Sequence, residues 1–124
     1  MFPVWEQAEQ IPALIEAQSR RAFSLSMCAE PETVKELTIQ IVVEKKDKAP
    51  ELGVSFNGSW PTFDSKVTDE LLYSAGHYTH HVPEHDAFNF QCDPSRIKEG
   101  WNEIRLFNSG DEVLRVVSVE IGIR

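Results

Sequence analysis

The stretch Leu37-Thr38-Ile39-Gln40-Ile41-Val42-Val43-Glu44 decides the fold. Leu37, Ile39, Ile41 and Val43 alternate with Thr38, Gln40, Val42 and Glu44. A period of two with β-branched residues is the signature of a strand buried on one face. Upstream the same period runs through Phe23, Leu25 and Met27 against Ser24, Ser26 and Cys28, and Ala29-Glu30-Pro31-Glu32 breaks it. Downstream, Glu44 to Pro50 reads as a charged turn. Leu52, Val54 and Phe56 alternate next. Asn57-Gly58 then supplies a tight turn that needs positive φ at both positions.

Further strands follow at short intervals. His77 to Val82 reads as a strand ended by Pro83, then Phe88, Phe90 and Cys92 alternate before Asp93-Pro94-Ser95. Gly100 precedes Asn102, Ile104 and Leu106, and Asn108-Ser109-Gly110-Asp111 turns the chain. In the last segment Val117, Val119, Ile121 and Ile123 are expected to face the core, with Leu114, Val116, Ser118, Glu120 and Gly122 on the opposite face. Seven or eight short strands with turn signals between them predict an all-β antiparallel sandwich, a jelly roll. Two segments lack this rhythm. Residues 59 to 76 read as an irregular connection, a length that in a compact domain often carries function. Residues 1–22 read as an N-terminal wrap or short helix, because Ile11, Leu14 and Ile15 fit a helical stripe with Pro12 in the first turn. The same residues also fit a short strand and turn. The expected division is therefore 1–22 as the wrap and 23–124 as one sandwich domain.

Composition narrows the function classes. The 124 residues are 41% hydrophobic and 26% charged, which suits one folded domain. Twelve Lys and Arg against 20 Asp and Glu give a net charge of −8. That argues against nucleic acid, whose phosphates require a cationic footprint. No apolar run approaches the length of a membrane span, so no membrane partner is expected and the chain should be soluble. The start, Met1-Phe2-Pro3-Val4-Trp5-Glu6, lacks the pattern of a secretory signal and is equally compatible with an excised domain. Cys28 and Cys92 are either reduced or paired, since spacing alone does not decide.

The run Arg96-Ile97-Lys98-Glu99-Gly100-Trp101-Asn102-Glu103-Ile104-Arg105-Leu106, with Val116-Val117-Ser118-Val119-Glu120-Ile121 after it, resembles the C-terminal half of galactose-binding-like jelly rolls. Leu52-Gly53-Val54-Ser55-Phe56-Asn57-Gly58 resembles the strand ending in Asn-Gly in the same superfamily. Ile97 stands where Leu is usual, and Trp101 where a small polar or charged residue is more common. The resemblance spans roughly residues 35 to 124. It implies an accessory domain of a polysaccharide-acting protein, with a poly- or oligosaccharide as ligand, often a structural calcium ion, and an extracellular setting. Other such domains only pack against a catalytic domain of the same chain.

The residues themselves suggest where a sugar would bind. Trp and Tyr offer flat apolar platforms with a polar edge, which match the C–H faces of sugar rings. Trp60, Tyr78 and Trp101 fall in loops or at strand ends. If Ile104 and Leu106 point inward, parity turns Trp101 outward. Asn57, His77, His80 and Arg105 are the expected hydrogen-bonding groups. Trp5 reads as an edge plug, and Phe23, Phe56, Phe88, Phe90 and Phe107 as core or near-core. Gly58, Gly100 and Asn102 read as structural.

The cluster His77, His80, His81 and His85 suggests a metal site, but strand geometry opposes it. His77 and His81 would lie about 13 Å apart on one face at about 3.3 Å per residue, and His80 would face the other way. No catalytic motif is present, so no enzyme activity is expected. The competing reading is a structural or protein-interaction sandwich without a sugar ligand.

Overall fold

A computed structural model describes residues 4–7, 13–27, 31–48, 50–68 and 84–124. The chain is all-β, with two antiparallel sheets packed face to face and no α-helix among the described residues. Its strands are β1 (Val4–Gln7), β2 (Ala13–Ile15), β3 (Ser19–Met27), β4 (Leu37–Glu44), β5 (Leu52–Phe56), β6 (Ser65–Thr68), β7 (His85–Cys92), β8 (Gly100–Asn108) and β9 (Leu114–Ile123). The larger sheet runs β1-β9-β4-β7-β6, with β2 also on β9, and the smaller runs β3-β8-β5.

The expected periodicities set these strands. In β4 the inward row Leu37, Ile39, Ile41 and Val43 meets Phe88 and Phe90 of β7, Phe23, Leu25 and Met27 of β3, and Ile104 and Leu106 of β8 in one buried cluster. Burying each such side chain contributes about 1.5–3 kcal/mol, so this interlayer contact dominates the stability of the sandwich. Cys92 packs at its margin with a free thiol, and burial pushes that thiol from its ordinary 9.0 up to about 11. Cys28 lies outside the described residues.

Three features depart from expectation. Among the described parts of residues 1–22, strands replace the short helix. Val4–Gln7 pairs with the end of β9 and Ala13–Ile15 with its start. Leu14 of the supposed helical stripe is 58% exposed, while Ala13 and Ile15 are buried, which is strand parity. Within the connection 59–76, Ser65–Thr68 forms β6 on the free edge of β7. The expected strand His77–Val82 lies outside the described residues.

The third departure is in β9. Its register against β4 shifts between Val42, opposite Ser118, and Val43, opposite Val116. Val117 is therefore an extra residue, a β-bulge. Leu114 and Val116 face the core before it, and Val119, Ile121 and Ile123 after it. Val117 instead packs against Val42 and Ala87 on the outer side of the sheet. The expected core row holds for Val119, Ile121 and Ile123 but fails at Val117, and Leu114 and Val116, expected on the opposite face, are in the core.

The outward row of the larger sheet is polar yet buried. Gln40, Ser118 and Glu120 are fully buried and Thr38 nearly so. They bond one another and their neighbours: Gln40 Nε2 donates to Asn89 Oδ1 at 2.9 Å, Gln91 Nε2 to Thr38 Oγ1 at 2.9 Å and Ser118 Oγ to Glu120 Oε1 at 2.8 Å. Such pairing offsets the cost of burying polar groups.

Candidate functional site

The open surface with aromatic groups is the outer face of the smaller sheet. On its central strand, β8, the core-facing residues are Asn102, Ile104, Leu106 and Asn108. Trp101, Glu103, Arg105 and Phe107 therefore point outward. Trp101 is 70% exposed, as parity requires. Phe107, expected in or near the core, is half-buried on this outer row instead.

The neighbouring strands shape a trough beside that row, over β3. On β3, Ser26 sits opposite Trp101, Ser24 opposite Glu103, Ala22 opposite Arg105 and Arg20 opposite Phe107. The first three are small, so the β8 side chains stand above them. On the other flank the chain after β5 folds back over it. Val54 and Thr62 exchange backbone hydrogen bonds of 2.9 and 2.8 Å, and Ser55 Oγ donates to the Ser59 carbonyl at 2.7 Å. The ring of Phe63 lies against Gly53 on the outer side of β5. This returning segment carries Trp60, 92% exposed, and Phe63, 52% exposed.

The corner between Trp60 and Trp101 is tightly bonded. Asn57 and Gly58 adopt φ of 48° and 78°, and the Ser59 amide closes the turn on the Phe56 carbonyl at 3.1 Å. Asn57 Nδ2 donates to the Arg96 carbonyl and to Asn102 Oδ1, both at 2.8 Å, and its Oδ1 accepts from the Glu103 amide at 2.8 Å. Both amide hydrogens of Asn57 are thus committed within the protein, which leaves one acceptor lone pair. Asn102, buried, accepts from the Lys98 amide and donates to the Lys98 and Gly100 carbonyls. Gly100 has φ of 91°, the backbone freedom its position in the sequence suggests. The two indoles flank this corner, Trp101 one residue before Asn102 and Trp60 three after Asn57.

Arg105 donates to Glu103 Oε1 at 3.0 Å, and both side chains are roughly half exposed. Tyr78, His77 and His80 lie outside the described residues. His85 is on β7 in the other sheet. Among the described residues no group of three or more His, Cys, Asp or Glu side chains is placed to hold a metal ion.

Two cavities stand out among the described residues. A crevice beside Lys48, Glu51 and Leu114 holds about 20 Å³, room for about one water. An open depression of about 390 Å³ lies at the Phe107 end of the trough, lined by Gln18, Ser19, Arg20, Phe107, Asn108 and Ser109. Sequence reading missed it, because its walls come from two turns far apart in the chain. Gln18 holds φ of 54°, unusual for a residue other than glycine. Its Nε2 donates to the Ser109 and Gly110 carbonyls at 2.6 and 2.9 Å, and its backbone amide to Gly110 at 3.2 Å. Buried Asn108 ties the same turns together through the carbonyls of Ile15, Glu16 and Glu112.

Comparison with solved structures finds this fold within two larger proteins. The chain is similar to a portion of BuGH86 in its complex with neoagarooctaose, with a TM-score of 0.64 and 18% identity over 95% of this chain. It is also similar to a portion of BpGH86A, a β-porphyranase of glycoside hydrolase family 86 from the human gut bacterium Bacteroides plebeius. There the TM-score is 0.61 and the identity 14% over 97% of this chain. The chain spans 18% and 20% of those two proteins, so the likeness is to a small region of each. At these identities it is a likeness of fold. No protein-family model and no curated sequence matches the chain.

Proposed function

We propose that the chain is a non-catalytic carbohydrate-binding module, an accessory domain of a polysaccharide-acting protein, and that an oligo- or polysaccharide lies along the outer face of β8. The observation that carries this reading is Trp101, 70% exposed on the outward row of a central strand. An indole left in water there forgoes the burial free energy it would gain in a core, and such groups mark binding surfaces. Trp101 stacks on one sugar ring, and Trp60 on the returning segment supplies a second platform. Arg105 donates to ring hydroxyls from the outward row beside the trough. Asn57 acts mainly by fixing the corner between the two indoles. Tyr78, His77 and His80 complete the proposed set.

The resemblance of residues 96–106 and 116–121 to galactose-binding-like jelly rolls supports the same assignment. So does the likeness to regions of agarose- and porphyran-related enzymes. A non-catalytic role is consistent with the small share of those enzymes that the chain spans.

Affinity electrophoresis of the wild-type chain through gels containing agarose, porphyran and other soluble polysaccharides tests the proposal, with tryptophan fluorescence alongside. The expected result is retardation by one polysaccharide class, weakened about 10-fold or more in Trp101→Ala. Trp101→Ala should fold normally because its side chain is exposed. Absence of retardation across the panel, or retardation indifferent to Trp101 and Trp60, would overturn it and favour a structural or docking role.

A further inference from the structure

We infer that the depression at the end of β8 is a subsite for an acidic sugar, one carrying a carboxylate or sulfate. The inference deepens the glycan-binding reading above and rests on it.

The first support is Arg20. The chain has six arginines. Arg21 donates to the Leu14 carbonyl and Arg96 to the Asn57 carbonyl. Arg105, Arg115 and Arg124 pair with Glu103, Glu44 and Glu36. Among the described residues Arg20 is the one arginine whose side chain makes neither a hydrogen bond nor an ion pair. In a chain of net charge −8, cations are outnumbered and carboxylates are abundant. An arginine left free beside a cavity therefore offers a planar donor fork to an incoming oxyanion.

The second support is what surrounds it. Phe107 lies directly across from Arg20 in the β3–β8 register and gives the depression an apolar wall. Ser19 and Ser109 bring hydroxyls, and Gln18, with both amide hydrogens spent on the Ser109 and Gly110 carbonyls, offers its Oε1 as an acceptor. An apolar plate, neutral donors and one cation match a sugar ring with a single negative substituent. The volume, about 390 Å³, lies within the range of about 300–1,000 Å³ typical of small-ligand sites. The walls are pre-organised: three hydrogen bonds hold Gln18 at its positive φ, so binding need not order the turn.

The third support is continuity. Phe107 and Trp101 belong to one outward row, six residues and about 20 Å apart at about 3.3 Å per residue. A chain stacked on Trp101 and running along the trough reaches the depression several rings later.

The test uses the intact chain labelled with ¹⁵N and titrated separately with galacturonate, galactose 6-sulfate and galactose. Amide shifts at Gln18, Ser19, Arg20 and Ser109 are expected with at least one acidic sugar, at an affinity about 10-fold or more above that for galactose. Which acid responds distinguishes carboxylate from sulfate. Arg20→Gln should fold normally and abolish the preference. Equal response to galactose, no shifts at these amides, or a preference that survives Arg20→Gln would each overturn the subsite. Gel retardation dependent on Trp101 is read in parallel. Its loss with the pocket shifts intact condemns the trough reading alone, and its persistence with the shifts absent condemns the subsite alone.

Discussion

Asn102 and Asn108 stand at opposite ends of one core-facing row of β8, both 2% exposed, with Ile104 and Leu106 between them. Each spends its side-chain amide on loop backbone: Asn102 on Lys98 and Gly100, Asn108 on Ile15, Glu16, Gly110 and Glu112. The central strand thus ties down the loops at both ends of the trough.

Replacing either asparagine with alanine should cost about 2–3 kcal/mol, since each substitution leaves several backbone groups without their partners. The two sites are about 20 Å apart at about 3.3 Å per residue and share no bonded partner. Urea denaturation of the double variant should therefore show additive losses within about 0.5 kcal/mol. A marked excess or deficit would mean that the two ends communicate.

Gly53→Ala should unseat Phe63. A Cβ at position 53 would fall 2.6 Å from the Phe63 Cζ, too close for the ring to remain. Because Phe63 is half exposed it can swing away, so the expected cost is about 1–2 kcal/mol rather than unfolding. In Phe63→Ala the same glycine substitution should cost much less, a coupling that a double-mutant cycle on melting curves would read out.

The Cys92 thiol makes stability fall at high pH. Its folded value, about 11, is raised above the ordinary 9.0. The native state then holds a proton that the unfolded chain releases. The stabilisation is complete below pH 9 and is lost as pH rises towards 11, by roughly 2 kcal/mol in all. Cys92→Ala should remove that slope. In a Cys28→Ser background, thiol-reactive dye at pH 8 should label native Cys92 about 100-fold more slowly than the urea-unfolded chain.

Much of this architecture is legible in the residues. β3, β4, β5, β7 and β8 each bury one face and solvate or polarise the other, so their period of two survives in the sequence. The strands that were not legible lack that contrast. Ala13–Ile15 is too short to show a period, and β6 has its most apolar residue, Val67, 68% exposed on an edge. Gln40 and Glu120 read as solvent-facing, yet both are buried, because polar side chains that satisfy one another leave no hydrophobic trace. For the site, parity alone turns Trp101 outward. The depression at Gln18 and Ser109 has no local signal, because hydrogen bonds between residues some ninety positions apart create it.

Val117 gives β9 a hidden regularity. Remove that one residue, and Leu114, Val116, Val119, Ile121 and Ile123 fall into a single unbroken alternation. The strand is an ordinary ladder with a beat inserted, and its two halves keep different time. Deleting one of the two adjacent valines, Val116 or Val117, which gives a single sequence, should therefore be tolerated where deleting Ile121 is not: the first closes the phase slip and costs only the contact with Val42 and Ala87, while the second keeps the slip and turns Ile123 away from the core. A soluble, cooperatively melting Val117 deletion would show that the bulge is an insertion the sandwich can do without.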